Sequence, residues 1–538
     1  MRLSLMLRSV TATWVAVLVS AVTNFFLTPY ILHHLGDEAY GLWVLIVALS
    51  DYYMFLQVGV RSAIVRYVSR NLALHDTAAV NRIAATGFYF YMGLFLVVNG
   101  IAIAVAHRAS IFFAIKPANV AAFTGLFILL GFAQACDFPL SLFEGCLEAV
   151  GRFDQLYSFR IVGMLVRVAA IIVVLHRGGG LFGVGTATVL STLSLRFLAV
   201  PLAFREVEGF SLSPKTIDYK EFKEMLGYGV TSLSIGIGIR LRESLYPVVI
   251  AKFLSAAAVT IFAIPAKLLA VPLSGIGTMT EFVNPLSSQL DARKDNSGLR
   301  RVLIASTEAA YLLFAPLTAL MIVLGKQMLT LWVGSNYSGA YPLLVLLSFG
   351  LGISATQAST QSMLFGIGKH RPLVWLRLLE GLGTAGLGIV LMRFWGLWGY
   401  ALASMLVPMV VNLILVPRYA CSLVDLSLFT YLSKGCLKAC VFSVPLVGAL
   451  LGFKYLFPVN TWPGVIAAGI GGGAVYLLTL LLASQLSKNR AYRWMSLDTV
   501  AMIERGWFKR DKNIELEGPE ATAILEELDR AEQANTLN

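Results

Sequence analysis

One stretch of this chain recurs in its second half, within apolar sequence. Gly180 to Pro201 reads GLFGVGTATVLSTLSLRFLAVP, and Gly396 to Pro417 reads GLWGYALASMLVPMVVNLILVP, aligned without a gap at an offset of 216. Three further landmarks recur at nearly this offset: Gly151-Arg152 with Gly368-Lys369, Arg160 with Arg377, and Asn81-Arg82 with Arg300-Arg301. Because the drift between landmarks is small, two bundles of similar layout are predicted to follow each other along the chain.

The repeated unit is predicted to be a bundle of membrane-crossing helices. Of the 538 residues, 57% are hydrophobic and only 13% are charged, whereas about 25% of the residues of a soluble domain are charged. An apolar helix of about 20 residues crosses a bilayer core of about 30 Å. Fourteen apolar stretches of that kind lie near residues 11–32, 41–60, 83–106, 121–147, 157–176, 181–203, 227–250, 259–284, 302–324, 343–366, 375–395, 399–417, 436–457 and 464–486.

The fourteen stretches predict an all-α polytopic membrane protein with two six-helix lobes around a central cavity. The predicted parts are a first lobe (1–204), a cytoplasmic connector (205–226), a second lobe (227–418), two extra C-terminal helices (436–486) and a cytoplasmic tail (487–538). Each lobe has an even number of spans, so the two parallel repeats have the same orientation. Transporters built from repeats bind their substrates where the repeats meet, which places the predicted site there.

The distribution of Lys and Arg predicts that both termini are cytoplasmic. Short cytoplasmic loops retain Lys and Arg. With the N-terminus inside, the predicted outer loops hold seven such residues, Arg108, Lys116, Arg177, Lys252, Lys326, Arg393 and Lys454. The net charge of +12 follows mostly from this asymmetry, so it does not require a nucleic-acid partner.

The sequence shows no sign of an enzyme or of a nucleotide-driven pump. Apart from the tail, no segment outside the predicted spans exceeds roughly 25 residues, which leaves no room for a soluble catalytic domain. The phosphate-binding pattern GxxxxGK[ST] is absent. The five cysteines are not spaced as metal ligands. We therefore expect no catalytic residues, no metal and no bound cofactor.

Cations within the apolar spans are the first candidates for a binding site, because ionisable groups there are costly and usually face a cavity. Such residues are Arg167, Arg196, Arg240, Arg242 and Lys267. Arg196 is about two turns from the cytoplasmic end of its helix and is expected to extend to the membrane surface. The other four are predicted to line the central cavity. As an alternative, Arg240 pairs with Glu243 on the same helix face; Arg242, rotated about 200° from Arg240, is not satisfied by that pair.

Four acidic residues are the candidates for binding a proton or sodium ion reversibly: Asp51, Asp137, Glu243 and Glu281. Burial raises the pKa of a carboxyl group, which makes such exchange feasible. Most buried acids are expected to be structural partners of Arg or hydroxyl groups instead. A cationic cavity without a phosphate loop suits an anionic cargo that is moved unchanged, since guanidinium binds phosphate oxygens in bidentate fashion.

Three segments resemble the polysaccharide flippases of the multidrug, oligosaccharidyl-lipid and polysaccharide exporter superfamily. They are TPYILHHLGDEAYGLW (Thr28 to Trp43), QVGVRSAIVRYVS (Gln57 to Ser69) and LTLWVGSNYSGAYPLL (Leu329 to Leu344). The resemblance implies a V-shaped fold that alternates between inward and outward openings in a bacterial inner membrane. It implies an undecaprenyl-pyrophosphate-linked O-antigen or exopolysaccharide unit as cargo, and a polysaccharide polymerase and a chain-length protein as partners.

The match to the family is incomplete at the predicted cavity. Flippases of this kind place cations on helices one, two, seven and eight. Helices seven and eight match through Arg240, Arg242 and Lys267, whereas helix one has Asn24 and helix two has Asp51. Two other functions stay open: a drug or lipid exporter of the same superfamily, and a membrane polymerase or ligase, which would need a large outer loop.

Overall fold

The computed structural model describes residues 3–57, 60–280 and 282–487, excluding the side chains at 3–14, 16, 17, 54, 57, 195, 228–243, 274, 278 and 279. Within these ranges the regular structure is helical, with no strand. The helices up to the connector are α1 (Leu3–Asp51), α2 (Val60–Ala73), α3 (Thr77–Phe112), α4 (Pro117–Ala149), α5 (Phe153–His176), α6 (Gly180–Arg196) and α7 (Ala199–Glu206).

The remaining helices follow the connector. They are α8 (Tyr219–Phe253), α9 (Ala256–Met279), α10 (Val283–Ala292), α11 (Asn296–Val333), α12 (Tyr341–Thr356), α13 (Ala358–Gly366), α14 (Arg371–Trp395), α15 (Leu397–Val410), α16 (Val416–Leu423), α17 (Leu428–Tyr431), α18 (Lys438–Phe442), α19 (Val444–Leu456) and α20 (Trp462–Leu486). Short 3₁₀ or π segments occupy Tyr52–Gln57, Pro214–Thr216, Ser335–Ala340, Val411–Leu415 and Leu432–Leu437.

Eleven helices among the described residues are long and apolar enough to cross a membrane. This confirms the predicted all-helical polytopic class, while the count of fourteen spans stays a prediction. Of the other three predicted spans, 11–32 lies in α1 and 227–250 lies in α8, while 41–60 begins in α1 and continues in the 3₁₀ segment Tyr52–Gln57. Residues 58 and 59 of that span lie outside the described residues. Helix α1 is broken at Gly36, where φ is 73° and ψ is 173°. Such a φ favours glycine, and the resulting kink separates the first two predicted spans.

The turns of the two predicted lobes repeat at nearly the sequence offset. Positive φ angles occur at five pairs of corresponding positions: His75 and Lys294, Ala114 and Gly334, Gly151 and Gly368, Gly180 and Gly396, and Gly209 and Asp425. An L-residue with a positive φ is uncommon outside glycine. The recurrence of these angles therefore supports a duplicated backbone layout, although the exact lobe limits stay a prediction.

The helix starts that follow two of these turns are built alike. Asp76 accepts a hydrogen bond of 2.8 Å from the N–H of Ala79 at the start of α3. Asp295 accepts one of 2.7 Å from the N–H of Gly298 at the start of α11. Both are side-chain caps of otherwise unpaired helix N–H groups. The hydrogen bond from Gly298 lowers the pKa of Asp295 below its ordinary value.

Each helix start is also tied to the loop that closes its half. Asn81 Nδ2 donates to the carbonyl oxygen of Gly209 over 2.8 Å, and Asn81 Oδ1 accepts from the N–H of Ser211. At the equivalent position of the repeat, Arg300 Nε donates to the carbonyl oxygen of Val424. The side chains differ, but the same two backbone segments are joined in both halves.

The hydrophobic core is continuous from α1 to α15 and includes fully buried aromatic side chains such as Tyr40, Tyr91 and Tyr400. Large apolar side chains also cover the outside of the bundle. Trp375 and Phe394 of α14 are each 74% exposed, as expected where the surrounding solvent is lipid. Polar side chains inside the bundle are therefore the informative ones.

Helices of the two predicted lobes meet along an interface that we call the seam. Helix α1 contacts α8, α9 and α11, and α8 also contacts α2 and α3. By internal contacts the chain divides into Met1–Leu480 and Leu481–Asn538. The seam belongs to the first unit. Of the second unit, residues 481–487 are described, and the predicted tail from residue 488 onward lies outside the described residues.

Candidate substrate site

The predicted cavity cation Lys267 lies at the seam. Its helix, α9, packs against α1. The Lys267 ammonium donates a hydrogen bond of 2.7 Å to the hydroxyl of Tyr40 on α1 and lies 4.9 Å from the centroid of the Tyr40 ring. Tyr40 is only 1% exposed. A buried aromatic group from the first lobe therefore holds a cation from the second.

Two cavities meet at Lys267. A cavity of about 350 Å³, the seam cavity, is lined by Ser20, Asn24 and Thr28 of α1 and by Trp332 of α11, besides Lys267 and its neighbours on α9. The three α1 residues are spaced by four, so they form one stripe of the helix. Lys267 is the charged group among the described residues that line this cavity.

The second cavity at Lys267, of about 550 Å³, extends into the second lobe. Helices α8, α9, α12, α13, α14 and α15 contribute to its lining. Much of that lining is aromatic or aliphatic, including Tyr246, Phe262 and Tyr400, and Arg377 and Glu380 add charge on one side. An apolar cavity with a few polar groups at fixed positions is the usual form of a ligand site.

Hydrogen bonds join the two lobes near the Gly36 end of the seam. The Thr260 hydroxyl donates a hydrogen bond of 2.6 Å to the carbonyl oxygen of Asp37, and the Tyr337 hydroxyl donates one to the Asp37 carboxylate. The Trp332 indole donates 2.7 Å to the carbonyl oxygen of Phe25 and stacks on the Phe25 ring with centroids 5.3 Å apart. These contacts fix α1 to the second lobe at this end.

Arg377 is neutralised within a buried network of the second lobe. Its guanidinium pairs with Glu380, three residues later on α14, and donates 2.9 Å to Asn412 Oδ1. The Ser354 hydroxyl donates 2.8 Å to Glu380, and Asn412 Nδ2 donates 3.1 Å to Ser354. The network joins α12, α14 and the π segment that holds Asn412.

Arg167, predicted to line the central cavity, lies instead beside a cavity within the first lobe. This first-lobe cavity, of about 230 Å³, lies between α4, α5 and α6. Its charged lining consists of Glu144, Arg160, Arg167 and Arg196. Lys267 lines the other two cavities, so the structure does not bring these two predicted cations into one lining.

The acidic candidates are placed differently from one another. Asp51 ends α1 and is half-buried. Asp137 of α4 pairs with Arg196 of α6, which gives it the role of a structural partner that most buried acids were expected to have. The pairing also corrects the expectation that Arg196 extends to the membrane surface, because two carboxylates of α4, those of Asp137 and Glu144, attract its guanidinium inside the bundle.

Four predicted site residues lie outside the described part. The side chains of Arg240, Arg242 and Glu243 fall in the range 228–243, and Glu281 is outside entirely. The helix of Arg240, Arg242 and Glu243 is α8. It carries Tyr246, which lines the larger cavity about one turn after Arg242. Among the residues that the structure does describe, no group of His, Cys, Asp and Glu side chains is arranged to hold a metal ion.

Sequence reasoning missed Tyr40 and the paired roles of Arg160 and Arg377. Tyr40 is 227 residues from Lys267 in sequence, and no local pattern connects them. Arg160 and Arg377 carried a signal, because they fall on each other in the repeat. An arginine at the same place in both halves indicates that both bundles place a cation there.

The family model described as "Polysaccharide biosynthesis protein" matches residues 34–342. The membrane protein EpsK of Bacillus subtilis (strain 168), described as uncharacterized, is 23% identical over 476 residues, which are 85% of this chain and 91% of EpsK.

Two solved structures show the same fold. The lipid II flippase MurJ in an inward closed conformation gives a TM-score of 0.68 at 12% identity, over 90% of this chain and 99% of that one. A multidrug resistance MATE family transporter of the MOP superfamily, facing inward, gives a TM-score of 0.64 at 14% identity, over 76% of this chain and 94% of that one. The fold is therefore that of these transporters, as the resemblance implied.

Proposed function

Because the chain belongs to the polysaccharide biosynthesis protein family, we propose that it is a flippase for a lipid-linked oligosaccharide. The cargo is an oligosaccharide joined through pyrophosphate to undecaprenol, and it is turned from the cytoplasmic to the periplasmic leaflet of a bacterial inner membrane. The family and the transporter fold support the class of function. Both termini are proposed to be cytoplasmic. Reporter fusions should therefore be cytoplasmic at Asn296 and at the C-terminus and external at Asn336, and an external C-terminus would contradict this topology.

One observation carries the proposal: Lys267 stands where the seam cavity meets the larger apolar cavity. A pyrophosphate at the seam would meet the ammonium group, and an apolar or sugar-bearing portion would have the larger cavity beside it. Lys267 is held by the hydroxyl and ring of Tyr40, which leaves further donors of the ammonium for a ligand. Arg240 and Arg242 of α8 are proposed to add cations to the same site.

In a transporter that opens alternately to the two sides of the membrane, the contacts at Asp37 and Phe25 are proposed to close one side. Hydrogen bonds from Thr260, Tyr337 and Trp332 close the Gly36 end of the seam, which is the predicted outer end. In the proposed cycle these bonds keep the outer end closed while the cargo enters from the cytoplasmic side, and they break when it leaves. The transporter then needs no covalent step and no cofactor.

The test compares three lysine variants in cells that depend on this protein for surface polysaccharide. Lys267→Met should lower export about tenfold or more, because a hydrogen bond to a charged ligand group contributes about 1.5–3 kcal/mol. Lys267→Arg should keep part of the activity. Lys326→Met, which removes an exposed lysine of α11, serves as the control. Undiminished export by Lys267→Met at a normal protein level in the membrane would refute the proposed site.

Ion coupling is proposed for Asp51, which is half-buried at the end of α1. Glu243 and Glu281 are the further candidates. In vesicles that contain the purified protein, Asp51→Asn should make transport insensitive to one imposed gradient, either of protons or of sodium. Transport that ignores both gradients in the unmodified protein would show that removal of the product drives the cycle instead.

An exporter of drugs or of another lipid is the second candidate, favoured by the aromatic lining of the larger cavity at Tyr246, Phe262 and Tyr400. The two functions differ in what accumulates when the gene is deleted. Loss of a flippase leaves the lipid-linked oligosaccharide in the cytoplasmic leaflet. Loss of an exporter leaves that lipid unchanged and makes the cell more sensitive to amphiphilic compounds.

A further inference from the structure

We propose that the first-lobe cavity between α4, α5 and α6 is a second anion site, which binds a phosphate group through Arg160, Arg167 and Arg196. This site is separate from the seam and does not depend on the proposed cargo. A phosphate ester of a membrane lipid and a free phosphate or diphosphate have the same recognisable chemistry. The experiment below distinguishes these two sources.

The cations converge from two helices. Arg160 and Arg167 are seven positions apart on α5, so they lie on one stripe of that helix at heights about 10 Å apart. Arg196 reaches the same cavity from α6, together with Thr192. Guanidinium groups match phosphate oxygens in geometry as well as charge, and the Thr192 hydroxyl is a further donor.

The carboxylates around the cavity are already shared among other arginines. Glu144 lies 2.9 Å from Arg61, 3.4 Å from Arg160 and 3.7 Å from Arg196. Two further pairs join Arg61 to Glu148 over 2.7 Å and Arg196 to Asp137. Three carboxylates therefore face four arginines when Arg167 is included. The longer distances at Glu144 exceed the roughly 2.7–2.9 Å that is typical of a strong charge-assisted hydrogen bond.

Arg167 is the fourth arginine, and it pairs with none of these three carboxylates. Within the described part of the chain it has neither an ion pair nor a hydrogen bond, and its Nε atom is buried without a partner. A buried guanidinium donor without a partner is costly. An anion in the cavity that Arg167 lines would satisfy this donor and balance the extra positive charge.

Size and surroundings suit a phosphate group. The cavity volume of about 230 Å³ is several times the roughly 30 Å³ that one water occupies. Exposed apolar side chains are next in sequence to its lining residues: Leu165 of α5 (56% exposed), Leu190 of α6 (69%) and Phe197 just after α6 (52%). In the proposal, a lipid places its phosphate in the cavity with its acyl chains against the apolar outside of the bundle, and a soluble diphosphate occupies the cavity alone.

The binding experiment uses the full chain in an uncharged detergent and in the Lys267→Met background, so that the seam site does not contribute. Inorganic diphosphate is titrated by calorimetry, and phosphatidylglycerol retained per protein is counted by native mass spectrometry. Adding Arg167→Gln should weaken binding of one of these probes about tenfold or more. Adding Arg167→Lys should restore part of it. Arg177→Gln, which removes an exposed cation at the end of the same helix, should change neither probe.

The probe that responds to Arg167→Gln identifies the source of the phosphate. Equal binding of both probes with and without Arg167 would overturn the proposal. If Arg167→Gln does not yield folded protein, Thr192→Val provides the same test with a smaller change, and a severalfold weaker binding is expected. Because export through the seam is not measured, the result is independent of the outcome for Lys267.

Discussion

Arg160 and Arg377 occupy equivalent places in the two halves of the repeat, yet their surroundings are opposite. The side chain of Arg160 is 45% exposed and shares Glu144 with other arginines. The side chain of Arg377 is 7% exposed, and its partner Glu380 is 1% exposed. The duplication has kept the position of the arginine along the backbone, but the two side chains have different partners. Both arginines line cavities, but the second-lobe arginine is buried in a pair with its own carboxylate, whereas the first-lobe arginine is partly exposed and shares its carboxylate.

The source of each partner explains the difference. Glu380 is three residues from Arg377 on the same helix, so the helix itself brings the pair together. Asn412 and Ser354 add hydrogen bonds to this pair from neighbouring segments. Glu144 reaches Arg160 from another helix, α4, and divides its charge among three guanidinium groups. A carboxylate shared among three arginines does not neutralise them all, so a bound anion can add to it. A carboxylate paired with a single arginine already neutralises that arginine.

The largest expected effect is that of Arg377→Gln. Removing one partner of a buried pair leaves the other charge uncompensated, which typically costs about 3–5 kcal/mol. The free energy of unfolding in lipid-detergent micelles should fall by that amount. The double variant Arg377→Gln with Glu380→Gln removes both charges and should recover much of the loss. A single variant as stable as the unmodified chain would show that the network contributes nothing to stability.

Glu144→Gln should have an intermediate effect with two opposite consequences. The free energy of unfolding should fall by about 1–3 kcal/mol, because Arg61, Arg160 and Arg196 lose a shared acceptor. Diphosphate or phosphatidylglycerol should bind the first-lobe cavity about tenfold more tightly, because a nearby negative charge is gone. The unfolding and titration measurements described above give both quantities. Unchanged affinity would mean that Glu144 does not compete with the anion.

The features that depend on local pattern can be predicted from the sequence. The repeat offset predicts the spacing of turns such as Gly151 and Gly368, and the apolar runs predict the helical membrane class. Glu380 can also be assigned to Arg377 from their spacing of three, because that spacing brings two side chains together on a helix.

Contacts between distant parts of the chain cannot be predicted in this way. The expectation that Arg196 reaches the membrane surface rests only on its distance from the helix end. Its partners Asp137 and Glu144 lie on α4, two helices earlier, and only packing of α4 against α6 brings them together. The same holds for Tyr40 beside Lys267. Local periodicity states which residues face inward but not which residue they meet.

The smallest expected effect on stability is that of Arg160→Gln, the same substitution as Arg377→Gln at the equivalent place in the repeat. A partly exposed ion pair such as the one over 3.4 Å to Glu144 contributes at most about 1 kcal/mol, so the free energy of unfolding should change by less than that. Binding of the phosphate probe should nevertheless weaken severalfold, because Arg160 lines the first-lobe cavity.

Arg377→Gln should show the reverse, with lower stability and unchanged affinity of the folded protein for the phosphate probe. Opposite effects of the two substitutions on stability and on affinity are expected if the duplicated arginines have different functions. If Arg160→Gln destabilises the chain as much as Arg377→Gln and leaves the affinity intact, both arginines are structural, and the contrast between the two halves does not hold.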